Sequence, residues 1–297
     1  MKTNHLTMVW RTLVPPKNIS NENIAKLFHY TFDDRKEKIV GQDKVVFQLT
    51  RADKFLDKNE GFHILEPFYH ACGDLYESKI IDEGFYRILR SIDSNDIAST
   101  FSGSWIFCFS KNGNSTFLKR RYAAGNGWIL GISFDYLDDM CIDFPEAYGT
   151  MTLYEVEYSF NKLLHTMKNA IRKYYIFYKQ KSKDFSNCKK EIIDWLSEYS
   201  LIYKSSDYKM EEEIRLICKL APHFSSWKNE EHGVQFESSV SGYDAVVRIT
   251  MDKKHLTYAT QELDVYFDAP LNKTILTNFD IRKVLIEDSK ADTKIKK

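Results

Sequence analysis

The sequence is poor in the residues that interrupt secondary structure. Only 12 glycines and 6 prolines occur in 297 residues, against 18 tyrosines and 20 phenylalanines. A chain with so many large rings must bury them, which excludes a disordered or low-complexity class away from the ends. Net charge is also lacking, since 42 basic residues balance 42 acidic ones. Nonspecific nucleic-acid binders neutralise phosphates with an excess of Lys and Arg, so this balance argues against that class and leaves only a local basic patch open. No apolar run approaches the ~20 residues of a membrane-spanning helix. The opening MKTNHLTMVWRTLVPP lacks the apolar stretch of a secretory leader. Cys72, Cys108, Cys141, Cys188 and Cys218 are odd in number, far apart and form no C-x-x-C pair. They read as buried thiols in a reducing compartment, which makes the cytoplasm the expected location and leaves disulfides and zinc unsupported. G-x-G-x-x-G, the P-loop sequence, H-E-x-x-H and G-x-S-x-G are all missing, so several common enzyme classes leave no mark.

What is present is a mixture of strand and helix patterns. Residues 1–18 read as an N-terminal arm, with Pro15 and Pro16 barring helix. NISNENIAKLF starts a short helix capped by Ser20 or Asn21. Strand-like segments follow at 44–50, 104–110, 127–134 and 152–159, and again at 210–218, 234–240, 243–251 and 257–268. Helical spacing marks 75–92, and a helical pair spans about 160–200 with Leu163, Met167, Ile171 and Tyr174 facing Ile192, Trp195 and Leu196. There is no regular β-α-β rhythm. The expectation is therefore an α+β fold, with a mixed or antiparallel sheet core, flanking helices and a helical insertion, forming one domain over 19–288 with a frayed tail at 289–297.

Three polar clusters could carry chemistry. In YKMEEEIRLICKL, a strand reading puts Glu211, Glu213 and Arg215 on one face, with i to i+2 neighbours about 7 Å apart. A helix reading makes Glu211 and Arg215 an i,i+4 pair instead, and a merely solvated charge row fits equally. In KNGNSTFLKRRYAAGNGW, a polar loop leaves a buried strand and carries Lys119, Arg120 and Arg121; it is either a binding loop or plain surface, with Gly125 and Gly127 making a turn. FLDKNEGFH carries Asp57 and Glu60, without His or Cys at convincing metal-ligand spacing. His29, in KLFHYTF, is either a packed core histidine or one half of a ligand-binding pair, and the segment is either a strand or the end of the first helix.

Taken in order, the pieces LFHYT, VVFQLT with FLDKNEG, FCFS, KRRYAAGNGWILGISF and EEEIR resemble a mostly bacterial domain-of-unknown-function family, number twenty-nine seventy-one. The order also resembles that of the ADP-ribosyltransferase fold. Departures are Leu56 and Lys58 where the family has Asn and Pro, and Lys119 where it has Trp. The resemblance implies that NAD is the substrate and that no metal is needed. It implies that His29 holds the nicotinamide ribose, Ser110 supports the site, Glu213 is the catalytic carboxylate and Glu211 the substrate-side one. Tyr30, Tyr122 or Trp128 would stack on nicotinamide, and Arg215, Arg120 or Arg121 would meet the diphosphate.

Such residues suit cleavage of the nicotinamide N-glycosidic bond, whose transition state resembles an oxocarbenium ion that a carboxylate stabilises. The leading expectation is thus an ADP-ribosyltransferase or NAD glycohydrolase acting as a bacterial toxin or phage-defence effector, on a protein or nucleic-acid acceptor. Its rivals are a non-enzymatic nucleotide-sensing or protein-partner module on the same fold, and a magnesium nuclease using Asp57, Glu60, Glu211 and Glu213. If 27–32 is a strand, His29 and Tyr30 face opposite ways, and only one can look towards Glu213.

Overall fold

The computed structural model describes residues 24–54, 61–124, 127–180, 185–241, 244–256 and 279–283. The expected arm, first-helix cap, tail and 257–268 strand lie outside them, as do Asp57, Glu60 and Gly125. The described strands are β1 (Lys26–Thr31), β2 (Lys44–Arg51), β3 (Ser104–Ser110), β4 (Trp128–Ser133), β5 (Gly149–Glu155), β6 (Glu213–Leu220), β7 (Ser226–Asn229), β8 (Val234–Ser241), β9 (Asp244–Asp252) and β10 (Phe279–Lys283). The described α-helices are α1 (Asp33–Ile39), α2 (Leu65–Glu77), α3 (Glu83–Arg90), α4 (Ser94–Ala98), α5 (Thr116–Tyr122), α6 (Phe134–Asp143), α7 (Phe160–Gln180) and α8 (Phe185–Ser200). The α+β expectation holds, including the helical pair at α7 and α8. All pairings between these strands are antiparallel.

The ten-stranded sheet runs β10-β4-β1-β3-β2-β9-β8-β7, with β6 and β5 branching from β3. β3 is the hub. One of its edges pairs with β6 along its whole length, from Ser104 opposite Lys219 to Ser110 opposite Glu213. Its other edge is shared. β1 meets it only at Phe28 opposite Ser110, and β2 only at Thr50 opposite Ile106 and Arg51 opposite Trp105. Four of the seven residues of SWIFCFS are aromatic or β-branched, and they are buried on both faces, as befits a strand covered on both sides.

Each face has its own core. On one, Ile106 and Ile217 pack under α2, α3, α7 and α8 through Phe68, Phe85, Met167, Tyr174 and Trp195. On the other, Leu27, Phe47, Phe107, Phe109, Ile214 and Leu216 pack with Phe134, Leu137 and Met140 of α6. α6 also reaches the β7–β8 turn, where Tyr136 Oη donates to His232 O at 2.7 Å.

Some expected elements shift. Of the two readings of residues 27–32 the strand is realised, not the helix end, because β1 spends its backbone bonds on β4 from Lys26 opposite Ser133 to Thr31 opposite Trp128. The single helix over 75–92 is two. The break follows α2, where Lys79 takes φ 57°, and α3 restarts at Asp82, whose side chain accepts from Phe85 N at 2.9 Å. LKRRY is helix α5 rather than loop, capped by Ser115 accepting from Leu118 N. No described helix is long and apolar enough to cross a membrane.

Gly127 marks a close approach rather than a turn alone. A Cβ there would meet Thr31 O at 2.2 Å and Ala123 O at 2.8 Å, both backbone atoms that cannot swing away. Gly127→Ala is expected to destabilise the fold by about 2 kcal/mol or more, the scale of strain at a constrained backbone, read as a fall in thermal midpoint.

Candidate functional site

The site is built where β6 begins. Glu211 ends a short 3-10 turn, Glu212 takes the left-handed conformation (φ 44°, ψ 47°), and only then does the strand start at Glu213. Glu211 is therefore not on the strand as expected, but Glu213, Arg215 and Ile217 do share one face. That face is not solvated. Glu211, Glu213 and Arg215 are 4%, 4% and 0% exposed.

Buried charges persist only when paired and hydrogen-bonded, and these are. Arg215 Nε donates to Glu213 Oε1 at 2.8 Å, its Nη2 donates to Oε2 at 3.3 Å, and its Nη1 donates to Leu201 O at 2.6 Å. Lys204, also buried, bridges the two carboxylates, with Nζ 2.7 Å from Glu211 Oε2 and 2.8 Å from Glu213 Oε2. Tyr122 Oη donates to Glu211 Oε1 at 2.8 Å, and Glu213 N donates to Tyr158 Oη at 3.0 Å. The Cys108 side chain lies on the same face, opposite Arg215 in the β3–β6 register. Burial by itself would raise the Glu213 carboxyl, but Arg215 and Lys204 outweigh it and hold it down at about 2. Burial and the Glu211 charge push the Tyr122 phenol up. Burial, with the Glu213 charge, keeps Cys108 a protonated thiol rather than a nucleophile.

The rim of this cluster reaches solvent. Arg121, 44% exposed at its side chain, stands 3.9 Å from Glu211 Oε1. Its guanidinium lies 5.7, 5.5 and 5.4 Å from the rings of Phe117, Tyr122 and Tyr208. Of the basic trio read as binding loop or plain surface, Arg120 and Arg121 are exposed, whereas Lys119 is buried with its ammonium on Asn114 Oδ1 at 2.5 Å.

The structure thus gathers Glu211, Glu213, Arg215 and Tyr122. Ser110 stands beside them, opposite Glu213 in the β3–β6 register, buried and accepting from Asn112 N at 3.0 Å. Tyr30 shares that sheet face, but its hydroxyl donates to Asn112 O at 2.6 Å and accepts from Ser115 N at 3.1 Å, which ties down the loop before α5.

His29 and Trp128 are not brought to the carboxylates. Residues directly opposite in an antiparallel pair share a face and neighbours alternate. Phe28 opposite Ser110 therefore puts His29 on the side away from Glu213. There its ring lies 4.4 Å from that of Phe107 and 6.3 Å from that of Phe47. Its Nδ1 is 3.0 Å from Cys108 O. A carbonyl only accepts, so Nδ1 carries the proton. Cys108 lies between the points where β1 and β2 meet β3, and the imidazole supplies the hydrogen bond that neither strand gives. Trp128 is pinned elsewhere, its Nε1 donating to Asp33 Oδ1 at 2.5 Å with Lys36 Nζ 3.6 Å from its ring centroid.

Lys204, Tyr158, Tyr208 and the Cys108 thiol escaped the reading of the sequence. The one local signal for Lys204 is its place at the end of the apolar run Leu201-Ile202-Tyr203, all buried. Among the described residues no group of three or more His, Cys, Asp or Glu could hold a metal ion. No family model, curated protein or solved structure matches the chain.

Burial lowers His29 from 6.5 to about 4. Folded His29 stays neutral where the unfolded residue would already take a proton. Its contribution is complete above pH 6.5 and is lost as pH falls towards 4, a change of up to about 3 kcal/mol for a shift of this size. Denaturant unfolding across that window should show the decline, and His29→Phe should flatten it while lowering stability at neutral pH, since Cys108 O then lacks its donor.

Proposed function

We propose that the chain is a nucleotide-recognition module, a non-enzymatic sensor on an ADP-ribosyltransferase-like sheet, whose ligand docks at the rim formed by Arg121, Tyr122 and Tyr208. The observation that carries this reading is the condition of Glu213. Cleaving the glycosidic bond of NAD builds positive charge on the ribose, and a carboxylate helps only if its own charge is available to that cation. Glu213 is 4% exposed, and Arg215 and Lys204 hold its two oxygens. Its charge is already matched. The ribose-holding role expected of His29 has no support either, since that ring faces away. The rim offers recognition chemistry instead: aromatic faces for a base, and a half-exposed guanidinium for a phosphate.

A second reading is NAD cleavage itself. It is favoured by the cross-strand row Phe28–Ser110–Glu213, which puts the three motif-bearing strands side by side in motif order.

A thermal-shift series with NAD, ADP-ribose and ADP, run beside a nicotinamide-release assay, separates the two. The expected outcome is stabilisation without nicotinamide release, about 2.7 kcal/mol at a hundredfold excess over Kd, weakened in Tyr122→Phe and Arg121→Gln. Nicotinamide release that disappears in a folded Glu211→Gln or Glu213→Gln protein would install the second reading. Absence of any shift with all three ligands would remove the first. Glu213→Gln also leaves Lys204 and Arg215 short of a partner, so a stability loss of about 3–5 kcal/mol is expected whichever reading holds.

A further inference from the structure

Beside the same rim one buried polar atom has no partner. His63 stands just before α2, and its Nε2 is shut from solvent without a hydrogen bond. Folded proteins satisfy nearly all such atoms, because an unmet one carries its full desolvation cost. The His63 ring is 6.2 Å from the ring of Tyr208. Around that phenol ring also stand Lys204 Nζ at 5.3 Å and the Arg121 guanidinium carbon at 5.4 Å. Three nitrogen-bearing side chains, from segments far apart in sequence, therefore converge on one aromatic ring.

The charges of the ion-paired cluster do not cancel. Lys204, Arg215 and Arg121 face the carboxylates of Glu211 and Glu213, which leaves one positive charge in excess. Lys204 and Arg215 are buried in contact with carboxylates at 2.7 to 2.8 Å, whereas Arg121 is 3.9 Å from its nearest carboxylate oxygen and 44% exposed. The excess is thus presented at the rim, on the same Tyr208 ring that His63 approaches.

The geometry points to His63 and Arg121 as a subsite for the phosphate of a nucleotide, with His63 Nε2–H donating to a phosphate oxygen, Arg121 supplying the charge and Tyr208, whose ring both approach, as a stacking surface. This rests on the nucleotide-recognition reading and adds to it a residue and a ligand group. His63 and Tyr208 are both only half-buried.

Calorimetric titration of the full chain with ADP and with pyrophosphate tests the subsite, using wild type, His63→Phe, His63→Gln and Arg121→Gln. ADP affinity should fall at least tenfold in His63→Phe and Arg121→Gln, and less in His63→Gln, whose amide still donates. Ligand-free His63→Phe should melt no lower than wild type, because the change removes an unmet polar atom. Pyrophosphate binding that shows the same pattern would assign the contact to phosphate alone, and binding of ADP only would require the base as well; both keep the subsite. Equal ADP affinity in wild type and His63→Phe would take His63 out of the site while leaving the rim reading intact. A lower melting point for ligand-free His63→Phe with unchanged affinity would reveal an internal water as the partner of Nε2 and overturn the subsite. Failure of wild type to bind ADP, NAD or pyrophosphate would overturn both.

Discussion

A buried ammonium organises this molecule. Lys204 lies between the carboxylates of Glu211 and Glu213 and touches both. Removing a charge from water is costly, and the cost is offset here only because each member of the group has partners at hydrogen-bonding distance. The arrangement fixes more than charge. Lys204 follows the end of α8, Glu211 closes the 3-10 turn and Glu213 opens β6, so one side chain ties the helical layer to the sheet. Arg215 repeats the tie through Leu201 O. The connection from α8 into β6 therefore has a single geometry that satisfies its charges.

The same pairing limits what the cluster can do. A carboxylate locked to two cations is an anchor, and its neighbours inherit the task of meeting anything from outside. Tyr122 hands Glu211 a proton donor on one side and offers its ring on the other, while Arg121 stands half in solvent among three rings. Charge pairing in the interior and exposed charge at the rim thus belong to different residues of one network. The opposite face of the sheet has no share in it: His29 there serves the backbone.

Periodicity made much of the architecture legible. The long helices α7 and α8, the hub strand SWIFCFS and the strands β6, β8 and β9 follow from apolar spacing, whereas β7 and β10 left no such mark. What it could not reveal came from tertiary contacts. The pattern over 75–92 runs unbroken in apolar residues, yet Lys79 in the left-handed region and Asp82 as a cap divide it. LKRRY fitted a binding loop or plain surface, because three cations in a row are usually solvated; Arg120 and Arg121 are exposed, but Asn114 draws Lys119 inward. Glu213 and Arg215 were visible as a pair, whereas Lys204 was not, because a lysine nine residues upstream becomes a partner only once the chain turns back at Glu212. The face of His29 likewise depended on register, and a shift of one residue would have reversed it.

The shared edge of β3 has a consequence for motion. β10, β4 and β1 form one block, β2 with β9, β8 and β7 a second, and β3 with β6 and β5 a third. Within blocks the ladders are long; between them they shrink to Phe28–Ser110 on one side and Thr50–Ile106 with Arg51–Trp105 on the other. Cooperative units in proteins follow such breaks in backbone bonding. Amide protons inside each ladder then report on separate openings, and the imidazole of His29 is a rivet between the first block and the third. The sheet is continuous in outline and jointed in its energetics, with both joints placed on the strand that borders the charged cluster.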